Sequence, residues 1–144
     1  MTRALITGIT GQDGMYLAEH LLDLGYEVFG MVRGQDNPKR RDVETLLPDV
    51  RLVEGDLLDA ASLRVMLDRV QPDEVYNLAA ISYAPYSWGQ PEITAEVNGL
   101  GVLRMLDAVR SLTGASGSRA GSGAKPKPSS RTSSLPPWTQ LPGV

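Results

Sequence analysis

Three glycines, Gly8, Gly11 and Gly14, stand at even spacing in Thr7-Gly8-Ile9-Thr10-Gly11-Gln12-Asp13-Gly14. The pattern Gly-x-x-Gly-x-x-Gly suits a turn pressed against a phosphorylated ligand. One glycine tightens the turn, one removes a side chain so that backbone can approach a pyrophosphate, and one lets the next helix pack on the strand before it. The helix start then offers unpaired N–H groups and a partial positive charge to the anion. Thr10 lies inside the turn, and Gln12 and Asp13 are placed to act as acceptors or caps there. Glycine-rich strand-to-helix turns also occur with no ligand, so spacing alone decides nothing. Context does: this turn follows the apolar run Arg3-Ala4-Leu5-Ile6-Thr7 and opens a helical pattern.

The next apolar run, Glu27–Val32, ends at Arg33, with no acid before Asp36. An acid at that place bonds the ribose 2′-hydroxyl of NAD, whereas a cation meets the 2′-phosphate of NADP. The Arg33 guanidinium can grip such a phosphate with two parallel bonds. The plainer alternative is a solvated strand-end arginine. Lys39-Arg40-Arg41 is a second basic cluster nearby, of a kind that is usually a solvated loop. The expected cofactor is NADP.

These groups need a scaffold, and the periodicity supplies one. A helical stripe, Leu17, Leu21 and Leu24, runs to the stop at Gly25. Strand-like runs follow at Glu27–Val32, Val50–Val53 and Glu74–Leu78. A second helix carries Leu63, Met66, Leu67 and Val70 on one face after Asp59 and stops at Pro72. A last helix is expected from about Pro91 to Leu112, with Val102, Leu106 and Val109 on one face. The order β-α-β-(loop)-β-α-β-α implies α/β architecture: an incomplete, doubly wound parallel sheet of Rossmann type.

The totals bound the rest. A chain of 144 residues suits one domain, and the absence of cysteine excludes disulfides, thiolate metal sites and a cysteine nucleophile. No run approaches the roughly 20 apolar residues of a membrane helix, and Met1-Thr2-Arg3 opens no signal peptide. A cytoplasmic protein with no membrane and no nucleic-acid partner is expected. His20, the single histidine, is expected to be solvated, and no second ligand marks a metal site. Residues 1–113 hold 17 acids and 10 Lys or Arg, a net −7; residues 114–144 hold no acid and four basic residues, a net +4. The second stretch has seven Ser, five Gly and five Pro, too little apolar surface to offset the entropy of ordering it. Residues 1–113 are therefore expected to be the NADP-binding domain and 114–144 a disordered tail.

With these residues in place, the string Thr-Gly-Gln-Asp-Gly at 10–14, followed by Tyr16-Leu17, resembles the GDP-mannose 4,6-dehydratase family, in the extended branch of the short-chain dehydrogenases/reductases. Pro72-Asp73-Glu74-Val75-Tyr76-Asn77-Leu78-Ala79-Ala80 is similar to the family's fourth strand, and Glu96-Val97-Asn98 with Gly101 to the helix after it. The resemblance covers residues 1–113. It implies that Asp56 and Leu57 meet the adenine, that Leu78, Ala79 and Ala80 lie along the ribose and pyrophosphate, and that Ser82 and Ser87 are substrate-side positions. It implies a homo-oligomeric lyase that converts GDP-mannose to GDP-4-keto-6-deoxy-mannose and water, with NADP+ taking up and returning the hydride. The stretch after the second strand, compressed into 34–41, is shorter than the family's loop, which often reaches a neighbouring subunit's cofactor. Ile81 and Tyr83 stand where Gln and His are common. The family's catalytic Thr and Glu, and its Tyr-x-x-x-Lys pair, have no counterparts here, and no catalytic residue is assigned. Another nucleotide-sugar dehydratase, epimerase or reductase, or a non-catalytic NADP-binding module, is the competing reading. A nucleic-acid binder would rest on four scattered cations in the tail.

The resemblance stops within a few residues of Leu112, the acids stop at Asp107, and a composition typical of shifted GC-rich codons replaces them. Residues from about Gly114 onward are therefore expected to be translated in a shifted frame. Reading the gene in its two other frames past the Leu112 codon should show, in one of them, a β-strand, a Ser/Thr-Glu pair and a Tyr-x-x-x-Lys. Their absence from both would make the tail a native linker or interaction segment.

Overall fold

The computed structural model describes residues 1–34, 36–81 and 88–117. Its strands are β1 (Arg3–Thr7), β2 (Glu27–Val32), β3 (Arg51–Glu54) and β4 (Glu74–Asn77). They form one parallel sheet in the order β3-β2-β1-β4, with Leu5 opposite both Phe29 and Val75. Among the described residues β3 and β4 are the edges. Helix α1 (Gln12–Asp23) joins β1 to β2, α2 (Arg40–Leu46) joins β2 to β3, and α3 (Ala60–Val70) joins β3 to β4. After β4 come α4 (Pro91–Ala95), a π-helical turn (Glu96–Leu100) and α5 (Gly101–Gly117).

Alternation of side chains along the central strands gives the sheet two buried faces. Leu5, Phe29 and Met31 pack on one side with Leu63, Met66 and Leu67 of α3 and Met105 and Ala108 of α5. Ala4, Ile6, Val28 and Val32 pack on the other with Ala18 and Leu21 of α1 and Val43 of α2. Fully burying one such Leu or Val contributes about 1.5–3 kcal/mol. The ion pairs that Glu27 makes with Arg3 and Arg51 are partly exposed, where such pairs contribute about 0–1 kcal/mol. The sheet is held by its two apolar layers, and these pairs trim its lower end.

Asp59 caps α3, its Oδ1 accepting from Ala61 N–H at 3.0 Å and Ser62 N–H at 3.3 Å, and Gln71 ends the helix in the left-handed region at φ 49°. Four details depart from the sequence expectation. The loop expected between β2 and β3 contains α2, a two-turn helix steadied by the Arg40–Glu44 pair and anchored by buried Val43. In α1 the buried stripe is Gly14, Ala18 and Leu21, while Leu24 is 60% exposed. In α5 it is Gly101, Met105 and Ala108, and Val102 and Leu106 face outward. The last helix also continues past Leu112 to Gly117, its end supported by Ser111 and Thr113 hydroxyls that bond back to Asp107 and Arg110 carbonyls. Residues 118–144 of the expected tail lie outside the described residues.

Candidate functional site

The upper ends of β1, β2 and β4 open into one groove of about 880 Å³. Its floor is the glycine turn. Gly8 has φ +72°, a region that favours glycine, and a Cβ built there would lie 2.8 Å from Ala79 N and from the Leu78 carbonyl carbon. Gly14 faces the other side of the same crossing, where a Cβ would overlap the Gly8 carbonyl oxygen. That oxygen accepts from Gly11 N–H at 3.0 Å and so closes the turn. The helix begins at Gln12 with Gly11 as its N-cap, and no side chain caps it. Gln12 and Asp13 therefore do not act as caps, contrary to one sequence expectation. The uncapped first turn offers its N–H groups and positive end toward the groove, which is the chemistry of a phosphate site.

Thr7, fully buried, locks the far wall to this floor. Its hydroxyl donates to Asn77 Oδ1 at 2.5 Å and accepts from Ala79 N–H at 3.1 Å. Leu78 N–H donates to Thr7 O at 3.3 Å. The exit of β4 is thereby drawn across Gly8, and Leu78, Ala79 and Ala80 become the wall above the turn.

At the opposite end, Arg33 follows β2 and makes no ion pair with any described residue. It borders both the groove and an adjoining recess of about 550 Å³, as do Asn37 and Asp56. Asp36 borders the recess, and Lys39 the groove, so the region carries both signs. Asp56 is fixed by its own loop: Oδ1 accepts from Leu58 N–H at 2.9 Å, and its N–H donates to Ser62 Oγ at 3.0 Å. Leu57, buried beside it, contacts the groove and the start of α5.

The structure thus brings Gly8, Thr10, Gly11, Gln12, Asp13, Gly14, Arg33, Asp56, Leu57, Leu78, Ala79 and Ala80 around one groove. Ser82 and Ser87, the expected substrate-side positions, lie outside the described residues. Of the basic cluster only Lys39 lines the groove; Arg40 pairs with Glu44. Met31, Asn37, Ile81, Ile93 and Val97 also line it and were not singled out as cofactor contacts from the sequence. Chain continuity with Arg33 or Ala80 could have suggested Asn37 and Ile81; Ile93 and Val97 come from a distant helix and carry no local signal. Tyr76 is unsuited to act as a base, because its hydroxyl donates to Glu74 Oε2 at 2.8 Å and the carboxylate raises its pKa above the usual tyrosine value. Among the described residues no group of three or more potential ligands could hold a metal ion, and no helix is long and apolar enough to cross a membrane. His20 is exposed on α1.

A parallel sheet with a glycine turn at its carboxyl edge and an uncapped helix behind it defines a Rossmann-type nucleotide-binding domain. Its sequence places it more closely. The chain belongs to the GDP-mannose 4,6-dehydratase family, whose model matches residues 5–121. It is 49% identical over 116 residues to GDP-mannose 4,6 dehydratase 1 of Arabidopsis thaliana, covering 75% of this chain and 32% of that protein. A GDP-mannose 4,6-dehydratase of Vibrio cholerae is also 49% identical over 116 residues, covering 76% and 31%. Among solved structures, the UDP-glucose 4-epimerase of Thermus thermophilus in complex with NAD is similar, with a TM-score of 0.65 and 29% identity over 78% of this chain and 35% of that one. The chain spans about a third of the length of the relatives it matches.

The crowding at Gly14 yields a direct expectation. Gly14→Ala should destabilise the chain by about 1–3 kcal/mol, as overpacking against backbone does. Gly99→Ala, which would meet nothing within 4 Å, should not. Thermal unfolding of the two variants beside the unmutated chain measures the difference.

Proposed function

We propose that this chain is the NADP-binding front of a GDP-mannose 4,6-dehydratase. The observation that carries the reading is the close crossing at Gly8 and Gly14, which clears side chains from the path of a pyrophosphate and aims the uncapped start of α1 at it. Likeness to an epimerase solved with NAD supports a nicotinamide dinucleotide in the same groove. The choice of NADP rests on Arg33, which makes no ion pair with any described residue and stands at the end of β2 where a 2′-phosphate would lie. Lys39 adds a second cation to the groove.

Within that reading each wall has a task. The turn and α1 neutralise the pyrophosphate, Asp56 accepts from the adenine amino group with the oxygen that Leu58 leaves free, and Ala79 and Ala80 keep the ribose side narrow. Bound there, NADP+ would supply a hydride acceptor that gives the same hydride back, so that GDP-mannose loses only water. The protein's own part in this half of the site is binding and orientation. Ser82 and Ser87 remain the proposed substrate-side positions, and a homo-oligomeric, cytoplasmic enzyme remains the expected setting. A non-catalytic NADP-binding module is the alternative that a lack of turnover would favour.

Two measurements test the reading. Calorimetric titration should show tighter binding of NADP+ than of NAD+, and Arg33→Ala should erase the preference, a loss on the order of 1.5–3 kcal/mol. Equal affinities in the unmutated chain would exclude Arg33 as the discriminating residue. Purified chain, free of host enzyme, should convert no measurable GDP-mannose, because its sequence contains no Tyr-x-x-x-Lys and loss of a cooperating catalytic set costs many orders of magnitude. Chromatographic detection of the 4-keto-6-deoxy product would show that another residue set does the chemistry.

A further inference from the structure

Between β3 and α3 the chain passes Asp56 and Leu57, both of which line the groove. A single peptide unit there is bonded at both ends. Leu58 N–H donates to Asp56 Oδ1 at 2.9 Å, and the carbonyl of the same unit, Leu57 O, accepts from Arg104 Nη1 at 3.1 Å. A trans peptide unit is planar, so its C=O and N–H point in fixed, opposite directions. Whatever holds Leu57 O therefore sets the direction of the Leu58 N–H, and with it the Asp56 carboxylate. A carbonyl that accepts from a cation is also polarised, which strengthens the N–H on the other side of its unit as a donor. Arg104, Leu57 O, Leu58 N–H and Asp56 thus form one continuous line of hydrogen bonds.

Arg104 is itself held in place. Its Nη2 donates to Glu96 Oε1 at 2.7 Å, eight positions back along the chain. Residues three or four apart are the neighbours on a helix surface, so this pair is not a routine surface contact. Glu96 belongs to the π-helical turn, whose next residue, Val97, lines the groove. Gly101, between the two partners, lies against Leu57, where a Cβ would come within 3.1 Å of the Leu57 Cβ. The Arg104 side chain is only 24% exposed, so solvent screens its bonds less than those of a free surface arginine. Arg104 does not line the groove.

We propose that Arg104 is a positioning residue for the base of the cofactor: through the Leu57–Leu58 peptide it aims the Asp56 carboxylate, and so governs discrimination of adenine without touching it. The inference rests on the reading of Asp56 as the acceptor for the adenine amino group. A tie that only satisfied the carbonyl of buried Leu57 would stabilise the fold and leave base discrimination unchanged. The two roles therefore separate in a ratio of affinities.

The test titrates the whole chain by calorimetry with NADP+ and with deamino-NADP+, in which hypoxanthine replaces adenine and a carbonyl replaces the amino group. The unmutated chain should bind NADP+ about ten-fold more tightly, the effect of one hydrogen bond to a charged group. In Arg104→Met, NADP+ should weaken about ten-fold, to the level of the analogue, while the analogue changes by less than about two-fold. Arg104→Lys, which keeps a cation for Leu57 O but cannot fork to Glu96 as well, should retain a preference of about three-fold. Hydrogen exchange at the Leu58 amide should accelerate in Arg104→Met while the amides of β1 stay protected. Equal weakening of both ligands, with their ratio unchanged, would overturn the role of Arg104 alone. Should Arg104→Met not unfold cooperatively, Arg104→Lys carries the test, and an undiminished ratio there overturns the proposal. An unmutated chain that binds the two dinucleotides equally would overturn the Asp56 reading and the proposal together, and one that binds neither would overturn the NADP reading as well.

Discussion

At Gly8 three pieces of backbone meet at van der Waals distance: the end of β1, the first turn of α1 and the exit of β4. No side chain fits there on either side, since a Cβ at Gly8 would strike Leu78 and Ala79 and one at Gly14 would strike Gly8 itself. The contact sets how close α1 lies to the sheet, and so where its unpaired N–H groups point. It also sets where Leu78–Ala80 pass over the turn. Floor and far wall of the groove are thus one constraint. The buried Thr7 hydroxyl secures it with one bond given and one received, leaving no polar atom orphaned. Were an anion to bind there, as proposed, backbone held this tightly would lose little further freedom.

The energetic support for that contact comes from elsewhere. A crossing of bare backbone buries little apolar area. The two layers on either side of the sheet, anchored by Leu63, Leu67 and Val70 on one face and Ile6, Ile9 and Val28 on the other, supply the favourable term. Ile9 links the two roles. It belongs to the turn yet is fully buried against β2, where it fills the space that Gly30 leaves open. The same turn that lines the groove with Gly8 and Gly11 is fastened to the core by Ile9, which follows Gly8.

How much of this was legible in the sequence follows from how local each feature is. The glycine turn, Arg33 at the end of β2 and the start of α3 after Asp59 each depend on a few adjacent residues, so spacing and residue type located them. The α3 stripe is buried as expected, and Leu17, Leu21 and Val109 pack inward, but the stripes of α1 and α5 were partly mis-phased for one shared reason. In α1 the inward positions are Gly14, Ala18 and Leu21, and in α5 they are Gly101, Met105 and Ala108. Both stripes run i, i+4, i+7 and both begin at a glycine, because the first turn must approach backbone or Leu57 closely. Counting large apolar residues selects Leu24, Val102 and Leu106 instead, which face outward. Helix α2 was missed because a single buried residue, Val43, anchors it. Asn98 carried a resemblance but no chemistry of its own, since its partner lies seventeen positions away and only the tertiary structure pairs them.

Strand β4 shows why side chains take over where the ladder stops. Each central strand is paired on both sides, whereas β4 is paired with β1 alone among the described residues, and all four of its residues are only half-buried. An edge strand has one row of backbone groups without ladder partners and less packing to hold its path. Yet the segment that leaves β4 must keep its place over the glycine turn. The bonds that do this come from side chains at both ends of the sequence: Thr7 from the first strand grips Asn77 and Ala79, and Asn98 from the last helix grips Ile81. Each bond contributes only about 1 kcal/mol net, too little to fold the chain and enough to choose between positions of a loop. The core therefore decides that the sheet exists, and a few polar clasps decide the shape of the groove above it.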